Sequence, residues 1–518
     1  MAEPVLNLVM RDLVDALIQE RLFGFADGEH DGEWYRVGDI RLRVRPGGKL
    51  QPWRYADGPV LHGTREIGPD ELIRLVAADE PAVQQVAQDL ATAVAHAGVL
   101  TDGEADGERM AARRNRPFHP TARAVVGWTV AEVARYGPHR RDPLGLDWLA
   151  VHTDCLRFGS GSREPAALLL EPGDHDRLQA GLPAGYTLVP VHPWHYDCVL
   201  RREFAAEIDN GAIRPVALGV GRFRPTSSLR TLVSADPARH VKLPLGVNTL
   251  GSARLLPPRY LDNGERGERL LRQVLTRDAD LAALVTVCDE RTWCGWAGDE
   301  FADRPGLLAA QVRSYPPEVP DAVPLGALAA EEWYRMRPVD PVPFFRALAD
   351  DFCAMAIGFL RHGVLPELHG QNVARSGRRF VLRDHDAVRY CPGWLAAAGI
   401  PEPGYRVKPG VRQSLRLDDP GALVGFLQTL GFQVNLYGIA DALTRHYSIT
   451  ENVLWNQLRA ALTDCLDRLE PPPLVRRLLL EAPTWPSRQV LGPLLRSGRS
   501  NDASMPASTG TVPNPLAS

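Results

Sequence analysis

The sequence predicts an α+β fold in which strands and helices occupy different parts of the chain. Residues 33–62 contain short apolar runs separated by glycine-rich turns, which is typical of short strands. Residues 225–233 and 240–245 flank a polar turn, so we expect them to pair as antiparallel strands. Residues 341–362 and 421–480 instead repeat apolar residues at helical spacing, which predicts long, largely buried helices.

Two further elements follow from the same patterns. Residues 69–98 place Ala, Val and Leu three and four positions apart, which predicts helix. Residues 186–191 form a short apolar run typical of a strand, and Pro193 suits the first turn of a following helix. His192 is therefore expected where the strand ends and the helix begins.

Chain length predicts about three lobes. At about 150 residues per domain, 518 residues correspond to roughly three units. We expect an N-terminal lobe of mixed helix and strand (residues 1–150), a second lobe containing the antiparallel ribbon (151–340) and a largely helical third lobe (341–495). Residues 496–518 are rich in Ser, Pro, Gly and Asn, so this tail is expected to be disordered.

Composition indicates which class of ligand and which cellular compartment to expect. The net charge of −4 and pI of about 6.4 provide no basic field for nucleic acid or an anionic membrane, so a small-molecule ligand is expected. Residues 1–24 carry charges within an apolar pattern, which matches neither a secretory signal nor a membrane span. The seven cysteines are scattered and never spaced as CxxC, which argues against a disulfide framework or a zinc site. A cytoplasmic protein is expected.

Lysine is rare in this chain. Of 59 basic residues, only Lys49, Lys242 and Lys408 are lysine. A lysine kept in such an arginine-rich chain suits a task for a compact point charge, such as contacting phosphate. Lys49 and Lys408 adjoin Pro-Gly turns and are expected at the surface, whereas Lys242 lies in a predicted strand.

The predicted antiparallel ribbon carries a candidate anion site. Folding the chain at residues 234–239 brings Lys242 close to Arg230 or Thr231, although the unknown loop register leaves the facing side chain open. Ser228 lies on the same segment. Two cations and several hydroxyl groups on one ribbon favour binding of phosphate.

A second polar cluster surrounds a predicted hairpin. If Ser376 and Gly377 form a two-residue turn, His369 pairs with Asp384. Glu367 and Asn372 then approach the same end of the hairpin. Two carboxylates and an amide are oxygen ligands that suit Mg²⁺, often shared with nucleotide phosphates.

Several common motifs are absent or incomplete. Gly47-Gly48-Lys49-Leu50 lacks the first glycine and the Ser or Thr of a Walker loop, and Gly219-Val220-Gly221 lacks the third glycine of a dinucleotide fingerprint. His192, His195 and Asp197 are too unevenly spaced to favour a metal trio. No GxSxG elbow is present, which argues against an α/β-hydrolase.

Taken together, these motifs resemble the siderophore synthetases that work without nonribosomal peptide templates, the aerobactin-synthetase-like family. The matching segments occur in the family order: His119-Pro120, Val191-His192-Pro193-Trp194, Pro225-Thr226-Ser227-Ser228-Leu229-Arg230-Thr231, Lys242-Leu243, Arg254, Glu367-x-His369-Gly370-Gln371-Asn372 and Arg383-Asp384. The resemblance implies a cupped-hand fold with a thumb, fingers formed by an antiparallel sheet, and a palm of helices plus a β-hairpin. It also implies an ATP- and Mg²⁺-dependent ligase that adenylates citrate or a related acid, releasing AMP and pyrophosphate. An amine or hydroxyl substrate then accepts the acyl group. A homodimer is compatible with the resemblance.

The resemblance also implies roles for individual residues. Lys242, Arg230 and His369 would be catalytic, and Arg254, His369 and Thr249 would hold the acid. Glu367, Asn372 and Asp384 would bind the metal. The expected ATP contacts are His192, Ser228, Arg230, Thr231, Lys242, Gln371, Asn372 and Asp384.

The chain departs from the family pattern around the acceptor pocket. Where the family shows a His-Pro-x-His-Pro pair, this chain has Arg116-Pro117-Phe118-His119-Pro120. The usual Trp-Gln is Trp194-His195, and the position of a substrate-facing threonine is Leu250, with Thr249 one residue earlier. The adenylation motifs are retained while the acid and the nucleophile stay open.

Two alternatives come from other classes. Small-molecule kinases of the aminoglycoside-phosphotransferase type also have a His-Gly segment, a following Asn and a later Asp for Mg²⁺, but Gln371 stands where such a kinase has its catalytic carboxylate. A noncatalytic binding protein for a carboxylate-rich metal chelator would use the cationic pocket but leaves the predicted magnesium cluster without a role.

Overall fold

The computed structural model describes residues 3–99, 106–114, 116–319, 321–410, 414–500 and 506–517. Within these ranges helices and antiparallel sheets occupy separate layers, which confirms the predicted α+β class.

The N-terminal part combines a small sheet with helices, because its apolar residues recur at both strand and helix spacing. Its five-stranded sheet orders Glu29–Asp31, Trp34–Val37, Ile40–Leu42, Leu61–His62 and Arg65–Glu66, and Val44–Pro46 pairs with Trp53–Tyr55. The helices are Glu3–Gln19, Pro69–Val76, Val83–Ala97, Gly107–Arg114 and Val130–Tyr136. The expected helix at 69–98 is therefore two helices, and Pro81 lies in the break between them.

A large antiparallel sheet forms the middle of the molecule. Its eight strands follow the order Tyr186–Val191, Leu144–His152, Ile213–Pro225, Thr231–Val233, Arg239–Lys242, Ala309–Ser314, Asp289–Trp296 and Leu156–Phe158. Leu245–Thr249 and Ser252–Arg254 pair beside it. Helical segments around this sheet are Thr153–Cys155, Pro165–Leu169, Pro172–Ala180, Pro193–His195, Tyr196–Leu200, Arg201–Glu203, Ala205–Asp209, Pro258–Arg277, Ala279–Leu284 and Arg304–Leu307.

The last part is mostly helical, as the apolar spacing of residues 341–362 and 421–480 predicts. Its helical segments are Leu325–Ala329, Glu331–Met336, Pro341–Leu360, His385–Ala387, Pro392–Ala397, Pro420–Phe426, Leu427–Leu436, Tyr437–Tyr447, Glu451–Leu469, Pro473–Arg476, Arg477–Glu481 and Leu491–Ser497. A four-stranded sheet orders Val285–Val287, Arg379–Leu382, Val373–Ser376 and Val323–Pro324, and Val364–Leu365 pairs with Arg389–Tyr390. The stretch Pro420–Tyr447 is long and apolar enough to cross a membrane, but 72% of its apolar window is buried within the protein, as in a core helix.

The hairpin has a different register from the predicted one. Ser376 pairs with Arg379 and Arg375 pairs with Phe380, so Gly377 and Arg378 form the turn. Gly377 has a φ of 57°, which glycine adopts without steric cost. The predicted Ser376-Gly377 turn is therefore wrong by one residue, and the predicted partner of each paired residue is wrong by two positions. Because side chains alternate with a period of two, the shift leaves each residue on its predicted face.

The tail contradicts the expected disorder in its described part. Ser508–Pro513 forms a strand that pairs with Thr484–Gln489, and Val512 and Leu516 are buried in the core of the helical part. Leu491, Leu494 and Leu495 pack instead in the N-terminal core. Residues on both sides of the expected boundary at residue 495 are thus buried in the protein, and residue 495 does not mark the end of the folded core. Residues 501–505 and 518 lie outside the described residues.

Candidate active site

A large polar cavity collects most of the predicted site residues. Its volume is about 1310 Å³. The predicted residues that line it are Ser228, Arg230, Thr249, Arg254, Glu367, His369, Gln371, Asn372 and Asp384. Polar residues that flank the ribbon (Thr231–Val233 with Arg239–Lys242) and the hairpin (Val373–Ser376 with Arg379–Leu382) therefore line the same cavity.

Lys242 links the ribbon to the end of the hairpin. It pairs across the ribbon with Thr231, which settles the register that the sequence left open. Its side chain is only 2% exposed, and its ammonium donates to Asp384 Oδ1 and lies 3.7 Å from Asp386 Oδ2. Lys242 does not line the cavity itself. Its charge reaches the cavity through its ion pair with Asp384, which does line it.

Asp384 is fixed in a strained backbone conformation. Its φ of 65° lies in the left-handed region, which is uncommon for a residue other than glycine. Its backbone N–H donates to Glu290 Oε1 at 2.9 Å, and the buried Glu290 also pairs with Arg313. Burial alone would raise the pKa of Asp384, but the positive charges of Lys242, Arg313 and Arg230 outweigh it and lower that pKa. Asp384 is therefore an ionised oxygen donor.

Glu367, His369 and Asn372 form a connected group. Asn372 Nδ2 donates to Glu367 Oε2 at 2.8 Å, and His369 Nε2 lies 3.4 Å from the same oxygen. The Gln371 N–H donates to His369 Nδ1 at 3.2 Å, which assigns the ring proton to Nε2. Burial and Arg116 lower the pKa of His369, so the ring is a neutral donor near pH 7. Although burial opposes it, His369 holds the pKa of Glu367 low, at about 2.

Arg254 faces the cavity beside Thr249. Its Nη2 donates to the Thr249 carbonyl at 2.7 Å, and its Nε donates to the Thr249 hydroxyl. Burial and the neighbouring Arg230 and Arg116 lower the pKa of Arg254 to about 9. Such a crowd of cations is stabilised by an anion. This geometry suits the predicted carboxylate contact of Arg254. Thr249 accepts hydrogen bonds from the guanidinium and so fixes its orientation.

Ser228 and Thr231 share one hydrogen bond, and only one of them reaches the cavity. Their hydroxyl oxygens are 2.9 Å apart, and Ser228 lines the cavity while Thr231 is buried behind it. The direct ATP contact of Thr231 stays a prediction. In this structure Thr231 orients the Ser228 hydroxyl.

Glu108 and Arg383 join the ribbon loop to the hairpin. Glu108 Oε2 accepts from the Ser227 N–H at 3.1 Å and from the Ser227 hydroxyl at 2.7 Å, while its Oε1 accepts from Arg383. Arg383 also donates to the Gln371 carbonyl at 2.8 Å. Arg383 outweighs burial and lowers the pKa of Glu108 to about 2. The sequence analysis did not identify Glu108.

His192 does not line the cavity, and its ATP contact stays a prediction. The ring is 1% exposed and lies 5.0 Å from the ring of Tyr136 and 6.0 Å from that of Trp128. Burial lowers its pKa to about 3, so it is a neutral ring packed among aromatic side chains. The strand-end position of His192 is as predicted, but the ring turns into the core.

The cavity residues that were not assigned from the sequence include Arg116, Asp386, Arg389 and Arg488. Asp386 could have been found from its position two residues after Asp384. Arg116 was visible only as a departure from a family pattern. Arg389 and Arg488 carry no local signal in a chain with so many arginines.

The donor set fits a hard cation that shares its shell with substrate. Burial, together with the charges of Asp384 and Glu367, raises the pKa of Asp386, because the three carboxylates crowd one another. A divalent cation would relieve this repulsion. Within the described ranges no three or more His, Cys, Asp or Glu side chains form a ready metal-binding group. Magnesium often completes its shell with water and phosphate oxygens, so the residues present fit it.

Comparisons with known proteins identify the family and agree with this fold. The model of the IucA / IucC family matches residues 108–330, and the model described as ferric iron reductase FhuF-like transporter matches residues 355–505. Staphyloferrin B synthase of Staphylococcus aureus (strain NCTC 8325 / PS 47) is 34% identical, over 79% of this chain and 76% of that protein. The chain therefore belongs to the IucA / IucC family.

Solved structures share the overall fold. The petrobactin biosynthesis protein AsbB from Bacillus anthracis str. Sterne has a TM-score of 0.80 at 18% identity, covering 99% of this chain and 95% of AsbB. The ATP-bound aerobactin synthetase IucA from a hypervirulent pathotype of Klebsiella pneumoniae has a TM-score of 0.76 at 18% identity, covering 99% and 100%. At these identities the likeness supports the fold.

Proposed function

We propose that this protein is an ATP-dependent carboxylate ligase of siderophore biosynthesis. It adenylates citrate or a related polycarboxylic acid, releases pyrophosphate, and passes the acyl group to an amine or hydroxyl with release of AMP. The similarity to staphyloferrin B synthase supports the pathway class. The reaction type agrees with the cytoplasmic, small-molecule role expected from composition, and we further propose that three lobes surround the cavity in a cupped arrangement.

One observation carries this proposal. Lys242 and Asp384 contact each other where the ribbon meets the hairpin, so cations, hydroxyl groups and carboxylates converge on one cavity. Attack of a carboxylate on the α-phosphate brings two anions together and leaves a charged pyrophosphate. Such a step requires fixed positive charge and metal-binding oxygens in the same place.

The ribbon side is proposed to bind the phosphates. Ser228 and Arg230 line the cavity, and Lys242 lies just behind them. Their donors are held by the fold before ATP binds, so they need little reorganisation as charge develops on the leaving pyrophosphate.

Arg254 and His369 are proposed to bind the acid. Arg254 presents a guanidinium group that can bind a carboxylate through two parallel hydrogen bonds, and the neutral Nε2–H of His369 can donate to the same group. Holding the acid close to the α-phosphate makes the attack effectively intramolecular. We assign no general base to the second half-reaction, because a positioned neutral amine can attack the adenylate directly.

Magnesium would be held by Glu367, Asn372 and Asp384, and when bound it would neutralise phosphate charge. Asp386 lines the same cavity and, when ionised, would add negative charge beside these metal ligands. Gln371 lines the same cavity and is proposed to contact the nucleotide.

The test is ATP–pyrophosphate exchange with the purified full chain. Citrate, 2-oxoglutarate and succinate are offered in turn with ATP and Mg²⁺, with hydroxylamine to trap the adenylate and chromatography to identify nucleotide products. We expect exchange that depends on one acid, AMP as the product, and loss of both on adding EDTA. Formation of ADP without exchange would overturn the proposal in favour of the kinase alternative.

A further inference from the structure

A small cavity of about 60 Å³ is lined by, among others, Arg116, His119 and Arg488, to which the sequence assigned no role. Arg116 and Arg488 line the large cavity as well, so the two spaces adjoin at these residues. Its volume is well above the roughly 15 Å³ that a single water requires. A carboxylate group therefore has room there.

Arg116 and Arg488 differ from three buried arginines of this protein. Arg54, Arg313 and Arg383 each pair with a carboxylate. Arg116 and Arg488 are only partly buried and have no ion-pair or hydrogen-bond partner among the described residues, and the Nε of Arg488 is buried without one. Partly desolvated cations without partners are stabilised when an anion binds.

His119 supplies an independent observation. Its ring is 4% exposed, and its Nε2 has no hydrogen-bond partner within the described part of the chain. Burial, Arg116 and Arg488 lower its pKa to about 3, so the ring is neutral. His119 Nδ1 lies 3.4 Å from the Thr121 hydroxyl, and in the tautomer in which Nδ1 accepts from that hydroxyl, Nε2 carries the proton and can donate to an anion.

One carboxylate lines the small cavity and is already engaged, while Glu367 of the large cavity is close enough for its charge to act on Arg116 and Arg488. The carboxylate that lines the small cavity is Glu20, and its oxygens accept from the backbone N–H groups of Val490, Leu491 and Gly492 at 2.7–2.8 Å. It forms no ion pair with Arg116 or Arg488 in the described structure. Arg116 and Arg488 are therefore available to bind an anionic ligand.

We propose that Arg116, Arg488 and His119 form a second carboxylate subsite, which binds a carboxylate that is not adenylated. Arg116 lies close enough to Arg254 and to Arg488 for its charge to act on both, so the subsite is continuous with the proposed acid site. A substrate carrying two or more carboxylates could place one at Arg254 and another at Arg116 and Arg488. This inference rests on the proposed function. The second carboxylate belongs either to the acid or to the nucleophile.

The test compares Arg488→Met and Arg116→Met with Arg141→Met, an exposed arginine that lines neither cavity. Exchange is measured with the best acid of the panel and with its analogue in which one carboxylate is replaced by a carboxamide. We expect the KM for the acid to rise about tenfold or more in both subsite variants, with the KM for ATP unchanged. The carboxamide analogue should show little difference between wild type and variants.

Two further readouts separate the possible outcomes. If the KM for the acid is unchanged but the KM for the nucleophile rises in the complete reaction, the second carboxylate belongs to the nucleophile, and the subsite stands. Unchanged KM values for both, in variants that keep the wild-type melting temperature, would overturn it. If the wild type shows no exchange with any acid, the proposed function fails. Citrate binding by calorimetry, lost in Arg488→Met, would then still support the subsite, and equal binding would overturn it.

Discussion

Backbone strain at single residues marks the candidate site. Leu229 and Asp384 both have φ values in the left-handed region, 68° and 65°, and both line the cavity. For a residue other than glycine this conformation costs of order 1–3 kcal/mol and persists only where surrounding contacts enforce it. At Asp384 those contacts are the N–H bond to Glu290 and the ion pair with Lys242. The strain agrees with a preorganised carboxylate.

Replacing Lys242 tests the centre of the site. In Lys242→Met we expect pyrophosphate exchange to fall by about 100-fold or more, because a fixed cation at the developing charge is lost. Lys49→Met is the matched control, since Lys49 is exposed and donates to the Ala517 carbonyl. Exchange at the wild-type rate in Lys242→Met would contradict the site assignment.

Glu108 gives a prediction for stability and its pH dependence. Its pKa of about 2 in the folded protein is below the ordinary 4.5, so its stabilising effect is present above about pH 4.5 and is lost as the pH falls toward 2. Glu108→Gln should therefore lower the free energy of unfolding by about 2–4 kcal/mol at pH 7, and by less at pH 3.

Urea unfolding at both pH values measures this difference. Glu332→Gln is the control, because its pair with Arg113 is partly exposed and worth less than about 1 kcal/mol. A loss for Glu108→Gln that is the same at both pH values would show that the carboxylate charge is not responsible.

At the scale of elements, the strand Ser508–Pro513 shows why composition misjudged the tail. The polar residues Thr509 and Thr511 face outward, while Val512 is buried. Asn514 then donates to the carbonyls of Leu479 and Ala482 at 3.2 and 2.8 Å. One buried apolar residue on a paired strand, followed by a buried amide, is too weak a signal to read from composition.

Asn514→Ala should lower the free energy of unfolding by about 1–3 kcal/mol, because two buried carbonyls lose their donor. Thr511→Ala is the control on the same strand, with an expected change below about 1 kcal/mol because Thr511 is exposed. Urea unfolding measures both. Equal stability of the two variants would mean that the tail is not docked in solution.

At the scale of the whole molecule, a buried ionic group joins the N-terminal part to the helical part. Arg54, which is fully buried, pairs with Asp15 at 3.0 Å and with Asp441 at 2.9 Å. Its guanidinium also lies 4.8 Å from the ring of Phe118 and 5.1 Å from that of Tyr437. These contacts connect the first helix, a strand of the N-terminal part and the helix Tyr437–Tyr447.

Arg54→Met should destabilise the protein by about 3–5 kcal/mol, since it removes a fully buried partner from Asp15 and Asp441, which then keep only their contacts with Arg445 and, for Asp441, Arg45. By calorimetry we expect the N-terminal part to melt in a separate transition at lower temperature. Arg43→Met is the control, because Arg43 and Glu33 form an exposed pair. A single unshifted transition in Arg54→Met would show that this group does not couple the two parts.

The sequence by itself determined the α+β class, the main helices, the ribbon and nine of the residues that line the cavity. These features depend on periodicity and on motifs that extend over a few residues, so they are encoded locally. The three-lobe division stays a prediction.

Only the tertiary structure decided which motif residues face the cavity. His192 is where the sequence placed it along the chain, but packing against Trp128 and Tyr136 turns it into the core. Lys242 meets Asp384 across 142 positions of sequence, and Arg116 meets Arg488 at a corner formed by distant segments. Such contacts depend on how whole elements pack, because no local pattern records the partner of a side chain that lies hundreds of residues away.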